Sequence, residues 1–600
     1  MAENPGTEKV KDLLRKVDDG SFVIPYFQRG FEWKPRMVSE LVESILQNYF
    51  TGLLLFWELD TEQAENEEWD PVWGAKRRNT PKVAILDGQQ RLSSLYYAIY
   101  NPKRLFPNRN SYYSFFIDLS KVLNEEYEES VTYKFFFSNY QPWEQFKARK
   151  EDWARTGIVP LAILSARDSG DPKQDYIDSV EFSEWLAKYL ELNRSNLPAG
   201  TTTLKVYKVF SSILNYSFVF YPLGSKRDLH DICNIFARVN SKGMKLSTFD
   251  LMNAFLYPKD IRLRKNLWEN LDNEVLKSID SGMNEYLLKV ISLHKQNYCS
   301  AKYLFNLIPG QVTIRKNEQG QKYEEVLVQD GSEFKNLWWT ACKYAEKARR
   351  RIMNTGFADF GAIKRNFVPN TTIIPVLAAM LWEYDRDTDT HDFVSNLQKW
   401  YWSAVFSEDY SGSSDTVMAK DFRDWKEWMA TSKAIERINR ITSEFFSEMD
   451  LKTTKKGSAR YNAILCILAL NNAKDFYKGQ IVGTADYSNE NINDHHIFPS
   501  RVEGLDPAKS TTFSSCKDSI ANRTLLLDET NKKISNLRPS EYLEDMLRKH
   551  GDEATVKEIL AGHFITSAAY EYMKQDDFDH FVLEREKAIR EHLISRLDIL

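Results

Sequence analysis

The stretch VAILDGQQRLSSL at residues 83–95 constrains the fold of this chain more than any other. Its first four residues are apolar and typical of a buried strand. They run into Asp87, Gly88 and three polar side chains, after which apolar residues recur at helical spacing. The stretch therefore predicts a strand that passes directly into a helix, as in α/β domains.

The length of 600 residues exceeds what one hydrophobic core usually supports, so we expect several domains. Residues 1–260 mix strand and helix signals, whereas residues from roughly 260 to 480 carry mostly helical patterns. Beyond residue 485 the chain becomes rich in His, Asn, Ser and Asp. The predicted fold class is α+β and multidomain, with an N-terminal α/β domain, a helical middle and a separate C-terminal domain.

Two local patterns give specific expectations. Thr203–Phe210 and Ile213–Tyr221 have the residue pattern of a pair of strands. The segment 309–326, with the sequence PGQVTIRKNEQGQKYEEV, predicts a hairpin or loop insertion within the helical middle.

Composition excludes several classes of protein. The net charge of −5 does not indicate a nucleic-acid-binding protein as a whole, so any DNA-binding surface must be a local patch. The five cysteines show no CxxC spacing, which argues against a disulfide framework and a cysteine-based zinc site. The N-terminus lacks the apolar region of a signal peptide. The sequence contains no run of about 18 apolar residues, so we expect no membrane span. We therefore expect a cytoplasmic protein.

The polar residues of the turn suit a phosphate group. A helix N-terminus offers unpaired backbone N–H groups and a partial positive charge, and Gly88 lets the backbone approach a ligand closely. Arg91 can hold a phosphate through two hydrogen bonds, and Asp87 can bind a metal ion or orient water. Gln89 and Gln90 can both donate and accept. The alternative interpretation is a helix cap with surface polar residues.

Two further stretches carry polar residues of the same kind. Residues 24–33, IPYFQRGFEW, place Gln28 and Arg29 among aromatic side chains, a composition suited to a base or nucleotide pocket. Residues 235–247, IFARVNSKGMKLS, place Arg238 beside a glycine turn. Each stretch alone is weakly specific, but the three together in this order are specific.

Together these stretches resemble the N-terminal domain of GmrSD-type modification-dependent restriction proteins, whose fold is ParB/sulfiredoxin-like. The chain carries that family's I-P-x-[YF]-Q-R-x-[YF]-x-W stretch, its D-G-Q-Q-R turn and its F-x-R-[IV]-N-x-x-G-x-x-L-[ST] stretch. The resemblance implies that the domain binds and hydrolyses a nucleoside triphosphate (GTP, UTP or ATP) and senses modified DNA. By motif position it implies nucleotide binding by Asp87, Gly88, Gln89, Gln90, Arg91 and Arg238. It implies DNA or modification sensing by Phe27, Gln28, Arg29 and Trp33, with structural packing as the alternative for Trp33.

A pair of adjacent histidines, His495 and His496, lies in the sequence NDHHIFPS at residues 493–500. One imidazole can hold a divalent metal ion while its neighbour takes a proton from water, and a single-metal nuclease needs both functions. Zinc is not expected, because no Cys or His partner lies at the spacing of a structural zinc site. The alternative interpretation is a satisfied pair of surface histidines.

With two downstream asparagine stretches, NRTLL from Asn522 and NKKIS from Asn531, the histidine pair resembles the ββα-metal (HNH) nucleases fused to GmrS-like domains. The resemblance implies that His496 is the general base. It implies that His495 and Asn531 are ligands of Mg²⁺ or Mn²⁺, with Asp494 as an alternative to His495. Asn522 would hold the base or its loop in place.

The interpretation that unites these features is a nucleotide-regulated, modification-dependent DNA endonuclease of the type IV-like restriction or phage-defence kind. Its expected parts are a ParB/sulfiredoxin-like NTPase and DNA-sensing domain at 1–260, a helical coupling region at 261–450 and an HNH-type nuclease domain at 451–600. Its expected partners are a nucleotide and double-stranded DNA, in particular modified phage DNA, and a homodimer is left open. The alternatives are a nucleotide-switched DNA-binding regulator with an inactive nuclease end and a toxin-like, non-selective nuclease.

Overall fold

The computed structural model describes the chain apart from residues 1–3, 67, 77, 228–230, 234, 237–246, 317–318, 386–389, 413, 484–490, 501–511 and 600. The chain forms two compact units, Met1–Arg262 and Leu263–Leu600. Among the described helices, none combines the length and the apolar character that crossing a lipid bilayer requires.

Two β-sheets frame the N-terminal unit. Its strands are β1 (Gly6–Lys9), β2 (Phe22–Pro25), β3 (Leu54–Glu58), β4 (Trp69–Pro71), β5 (Val83–Asp87), β6 (Tyr112–Asp118), β7 (Val131–Phe136), β8 (Ile158–Pro160) and β9 (Ser217–Leu223). Six of them form a mixed sheet in the order β1-β9-β3-β5-β2-β4, in which β9–β3 and β5–β2 are the parallel pairs. The other three form an antiparallel sheet in the order β7-β6-β8, so β7 lies at an edge.

Helices contribute apolar faces to the core of this unit. The first helix buries Val10, Leu13, Leu14 and Val17, which recur at the spacing of one helical face. Each aliphatic side chain of this kind contributes about 1.5–3 kcal/mol when it is fully buried. The described α-helices are Val10–Asp18, Pro35–Leu46, Thr61–Asn66, Gln89–Tyr100, Leu119–Leu123, Pro142–Ala148, Lys150–Thr156, Val180–Asn193, Thr203–Asn215 and Thr248–Leu256, with 3-10 helices at Leu161–Ser165, Tyr176–Asp178 and Tyr257–Lys259.

The strand pair predicted at Thr203–Phe210 and Ile213–Tyr221 is wrong in its first member. Thr203–Asn215 is a helix, and the second predicted strand is displaced along the chain to β9 (Ser217–Leu223). The helix begins after Thr202, whose side chain accepts a hydrogen bond from the Lys205 amide. Its buried residues recur at helical and not at alternating spacing: Val206, Val209, Phe210, Ile213 and Leu214. One-sided burial therefore overrides the strand preference of the β-branched residues.

The C-terminal unit is mainly helical and contains two small sheets. Its strands are β10 (Val312–Lys316), β11 (Lys322–Val326), β12 (Ile492–His496) and β13 (Arg523–Leu527). Strands β10 and β11 form an antiparallel hairpin, which confirms the hairpin predicted at 309–326. The described α-helices are Glu274–Ile279, Met283–Gln296, Ala301–Leu304, Gly331–Met353, Ile374–Glu383, His391–Ser407, Ser414–Thr431, Glu436–Arg440, Ser443–Glu448, Ala459–Leu470, Phe513–Cys516, Asp528–Ile534, Pro539–His550, Glu553–Ala561, Ser567–Lys574 and Phe578–Ile599, with a π-helix at Leu263–Glu269 and 3-10 helices at Phe305–Leu307, Arg365–Phe367, Thr371–Ile373, Asp409–Ser411 and Ile520–Asn522.

Buried polar groups hold the β12–β13 sheet. Helix Asp528–Ile534 follows β13 directly, so the local order is strand, strand, helix. The buried carboxylate of Asp475 accepts a hydrogen bond from Thr530 Oγ1 of that helix at 2.6 Å. The buried guanidinium of Arg585 donates to the Arg523 carbonyl of β13 at 2.7 Å. Because buried charges are costly unless they are hydrogen-bonded, these contacts favour a single arrangement of the sheet.

Candidate functional site

The DGQQR turn joins β5 to helix Gln89–Tyr100, which confirms the predicted strand-to-helix junction. Gly88 has a φ of 99°, in the left-handed region that favours glycine. A Cβ at this position would lie 2.2 Å from Leu54 Cδ2 of β3. Glycine is therefore required both by the backbone conformation and by the close approach of the neighbouring strand.

Glutamine side chains fasten the IPYFQRGFEW segment to this turn. Gln28 Nε2 donates to the carbonyls of Ile85 and Leu86 at 2.7 and 3.1 Å. In the opposite direction, Gln89 Nε2 donates to the Arg29 carbonyl at 2.9 Å. The structure thus brings the first two sequence motifs together, and each supplies an amide that satisfies the backbone of the other.

Gln90 makes the most extensive of these contacts. Its Nε2 donates to the Gly30 carbonyl at 2.9 Å, and its Oε1 accepts from the amides of Glu32 and Trp33 at 2.8 and 3.3 Å. The side chain is only 8% exposed. Gln90 therefore acts as a buried clamp that sets the conformation of the IPYFQRGFEW segment.

Arg91 is engaged by the protein itself. Its Nη1 donates to the Thr51 carbonyl at 2.8 Å, and its Nη2 donates to the Leu53 carbonyl at 2.6 Å and to Asp87 Oδ2 at 3.1 Å. Burial lowers the pKa of the guanidinium, and the carboxylate of Asp87 opposes that shift. Arg91 thus holds the segment before β3 against the turn, and the phosphate contact predicted for it stays a prediction.

These contacts enclose a cavity of about 700 Å³, a size that suits a small ligand. Polar residues of both motifs line it together with the apolar side chains of Met37, Leu41, Tyr49, Phe50, Leu53, Leu55, Leu86 and Phe236. The carboxylate of Asp87 is 38% exposed. Among the described residues, the buried indole N–H of Trp33 has no hydrogen-bond partner, and no side chain caps the N-terminus of helix Gln89–Tyr100. The uncapped start of this helix, which borders the cavity, therefore suits a ligand with acceptor atoms.

The other predicted residues of this domain differ in their placement. Phe27 is 1% exposed, and its ring packs edge-on against Phe236 and Tyr257 with centroid distances of 5.4 and 5.7 Å. This burial favours packing for Phe27, and the sensing role expected for it stays a prediction. Trp33 lines the cavity and also packs against the hydrophobic core. Arg238 lies outside the described residues.

In the C-terminal unit, β12 carries both histidines. The strand register pairs His495 with Thr524 and His496 with Arg523 of β13. Neighbouring residues of a strand face opposite sides, so the two imidazoles lie on different faces of the sheet. His495 Nδ1 lies 2.6 Å from Oδ1 of Asn531, which belongs to the helix after β13. The two residues predicted as metal ligands by resemblance are thus brought together.

The spacing and protonation of His495 and Asn531 show whether the two residues suit a divalent cation. Octahedral Mg²⁺ holds neighbouring ligand atoms about 3 Å apart and keeps several waters, which fits a site with two protein ligands. Burial lowers the pKa of His495 to about 4, so the ring is neutral near neutral pH, as a ligand must be. Among the described residues there is no group of three His, Cys, Asp or Glu placed to hold a metal. The remaining ligands would therefore come from water and from DNA phosphate.

His496 contacts a residue that the sequence did not predict. Its Nε2 lies 2.8 Å from Asp518 Oδ1, which also accepts from Arg523 Nη2 at 3.0 Å. Burial lowers the pKa of His496, and hydrogen bonding to Asp518 opposes the shift. With a proton on Nε2 toward Asp518, Nδ1 is the acceptor, as a general base requires. Arg523 is identified as a neighbour of His496 by the strand register, which places it opposite His496. The sequence alone does not supply that register.

Asn522 is a buried clamp for the chain that follows the histidines. Its Nδ2 donates to the carbonyls of Phe498 and Lys517 at 2.9 and 2.8 Å. Its Oδ1 accepts from the Phe498 amide at 2.8 Å. These contacts hold the chain at Phe498 and Lys517, and the role expected for Asn522 in supporting the base stays a prediction.

Asp494 is placed apart from the proposed ligands. Its carboxylate accepts from the Tyr461 hydroxyl at 2.7 Å and pairs with Lys456 Nζ at 2.9 Å. Strand alternation puts it on the face of His496, opposite His495. The structure therefore does not bring Asp494 together with Asn531.

Comparisons with known proteins give two matches. Residues 10–257 match the family described as "GmrSD restriction endonuclease, N-terminal domain". The chain is also similar to the uncharacterized protein MJ0686 of Methanocaldococcus jannaschii, with 30% identity over 639 aligned positions that cover 98% of each protein. The family match spans the DGQQR turn and the cavity, and the match to MJ0686 extends over both units.

Proposed function

We propose that this chain is a nucleotide-regulated, modification-dependent DNA endonuclease. It belongs to the same family as MJ0686, and it carries the N-terminal domain of GmrSD restriction endonucleases. Membership of a restriction endonuclease family implies DNA as a partner. We assign cleavage to His495, His496 and Asn531 of the β12–β13 sheet and the helix that follows it, and regulation to the cavity beside the DGQQR turn.

The observation that carries the proposal is the contact between His495 and Asn531 on a strand–strand–helix unit whose first strand also carries His496. A divalent cation bound by the first two residues, Mg²⁺ or Mn²⁺, would supply positive charge to the scissile phosphate. His496 accepts a proton from the attacking water at Nδ1, and Asp518 holds its other nitrogen. Asn522 keeps the adjoining loop fixed.

The cavity of the N-terminal unit supports the proposal of a nucleoside triphosphate, GTP, UTP or ATP. The uncapped helix N-terminus suits a phosphate group. Asp87, which lines the cavity and is partly exposed, would orient water or a cation. Gln28, Arg29 and Trp33 line the same cavity and are the candidates for reading a modified base.

Digestion of a panel of modified and unmodified phage DNAs, with Mg²⁺ and with or without each nucleotide, tests the proposal. We expect cleavage of a modified DNA that depends on a nucleotide. Equal cleavage of unmodified DNA without nucleotide would instead identify a non-selective nuclease. Nucleotide-dependent DNA binding without any cleavage would identify a regulator.

A further inference from the structure

The loop that follows helix Pro35–Leu46 carries two exposed aromatic side chains beside the cavity of the N-terminal unit. Tyr49 and Phe50 both line the cavity, and their exposed fractions are 59% and 76%. Residues that line a cavity and also face solvent lie at its mouth. Large rings gain free energy when they leave water, so their exposure at this place indicates a surface that a ligand covers.

The end of the preceding helix sets the place of these rings. Asn48 has a φ of 53°, and its amide donates to the Ile45 carbonyl at 2.9 Å. The Tyr49 amide donates to the Ser44 carbonyl at 2.9 Å, which completes a Schellman motif. In this motif the residue in the place of Tyr49 commonly packs on an apolar residue of the last turn, but the positions it would contact are Glu43 and Ser44. The helix end therefore does not account for an aromatic residue at this position.

Two side chains from other elements hold the backbone of the loop. The Tyr216 hydroxyl donates to the Tyr49 carbonyl at 2.7 Å and accepts from the Thr51 amide at 3.2 Å. Arg91 Nη1, from the DGQQR turn, donates to the Thr51 carbonyl at 2.8 Å. Both neighbours of Phe50 are thus fixed, so the loop is ordered before a ligand arrives, and little entropy is lost on binding.

The rest of the cavity wall is mixed in polarity. Helix Pro35–Leu46 contributes residues at i, i+3, i+4 and i+7, which share one helical face: Met37, Glu40, Leu41 and Ser44. Leu55 of β3 and Leu86 of β5 add aliphatic surface. The described residues of the wall include two cations and two carboxylates: Arg29, Arg91, Glu40 and Asp87. The net charge of the wall therefore does not select a ligand, and its aliphatic and aromatic surface favours a flat, largely apolar group.

We propose that Tyr49 and Phe50 hold the base of the nucleoside triphosphate by stacking, while its phosphates lie toward the start of helix Gln89–Tyr100. The inference rests on the proposed function, which assigns the nucleotide to this cavity, and it adds the residues that bind the base. Stacking on an aromatic ring is available to every base, because every base has a π-face. The two rings should therefore strengthen the binding of GTP, ATP and UTP alike.

A base extruded from DNA is the competing occupant, because it presents the same ring. The loop is bonded through Arg91 to the turn that the proposed function assigns to the triphosphate. One ligand that joins a ring to a triphosphate can therefore contact the loop and the turn together. This connection favours the free nucleotide.

Calorimetric titration of the full-length protein with GTP, ATP, UTP and inorganic triphosphate tests the proposal. The variant carries Tyr49→Ala and Phe50→Ala, and the matched control is Phe137→Ala, because Phe137 is an 84% exposed ring that follows β7 of the other sheet. We expect the double variant to lose about five- to a hundredfold in affinity for each nucleotide, because stacking is lost. Its affinity for inorganic triphosphate, which has no ring, should not change, and the control should bind every ligand normally. Phe50→Trp keeps a ring and should bind nucleotides like the unaltered protein.

Unaltered nucleotide affinity in the double alanine variant overturns this inference alone. An equal loss of affinity for inorganic triphosphate also overturns it, because the loop then acts on the phosphate site and not on the base. Normal nucleotide binding together with weaker binding of a modified DNA would assign the rings to an extruded base and overturn it as well. If the unaltered protein binds none of the three nucleotides, the nucleotide regulation in the proposed function fails together with this inference.

Discussion

Replacing Gln90 with alanine removes the acceptor that holds the amides of Glu32 and Trp33. Each of these hydrogen bonds contributes a net stabilisation of about 0.5–1.5 kcal/mol. The free energy of local opening at the two amides should therefore fall by about 1–3 kcal/mol, and their hydrogen exchange should accelerate roughly five- to a hundredfold. Hydrogen exchange followed by mass spectrometry on peptides that contain both amides measures this directly.

Gln89→Ala is the matched control for this experiment. It removes one hydrogen bond, to the Arg29 carbonyl, and leaves the acceptor of Gln90 in place. Exchange at Glu32 and Trp33 should then stay near the rate of the unaltered protein. Unchanged exchange in Gln90→Ala, or equal acceleration in both variants, would refute the conclusion that Gln90 is the clamp.

Three further predictions concern binding, stability and metal. Arg91→Ala should lower nucleotide affinity about ten- to a hundredfold in calorimetric titration with GTP, ATP and UTP. Asp87→Ala should lower nucleotide hydrolysis more than nucleotide binding. Unchanged affinity in Arg91→Ala would show that the turn is not the nucleotide site. Gly88→Ala should destabilise the protein by about 2–4 kcal/mol in denaturant unfolding, because a Cβ meets Leu54 and the backbone is left-handed; wild-type stability would contradict this. EDTA should stop DNA cleavage, and Mg²⁺ or Mn²⁺ should restore it. Asn531→Ala should raise the metal concentration that is needed for cleavage. Full cleavage in chelator would exclude metal catalysis.

Local patterns in the sequence predicted the elements that depend on neighbouring residues. The strand-to-helix turn at Gly88 and the hairpin at 309–326 follow from apolar runs broken by glycine and polar residues. Thr203–Asn215 was misassigned because its β-branched residues favour a strand, while burial on a single face makes it a helix. The helical spacing of the apolar residues identifies such a helix only when it is given more weight than the strand preference of the residue types.

The sequence nominated residues for both candidate sites but did not predict their contacts. Gln28 and Gln90 each bind backbone carbonyls 57 to 60 positions away, and no side-chain pattern reports which carbonyl a glutamine reaches. The sequence likewise could not identify Asp518, because its role depends on where the chain places it beside His496. The engagement of Arg91 by backbone carbonyls has the same origin: it requires the tertiary fold.

The most direct test of the central claim is a DNA cleavage assay on purified His496→Ala protein with Mg²⁺, on a DNA that the unaltered protein cuts. The control is His391→Ala, which removes an 83% exposed histidine side chain in the same unit. We predict that His496→Ala loses cleavage and keeps nucleotide hydrolysis, because the two candidate sites use different residues in different units, and that His391→Ala keeps both. Retained nicking or cleavage by folded His496→Ala protein would contradict the assignment of the cleavage site.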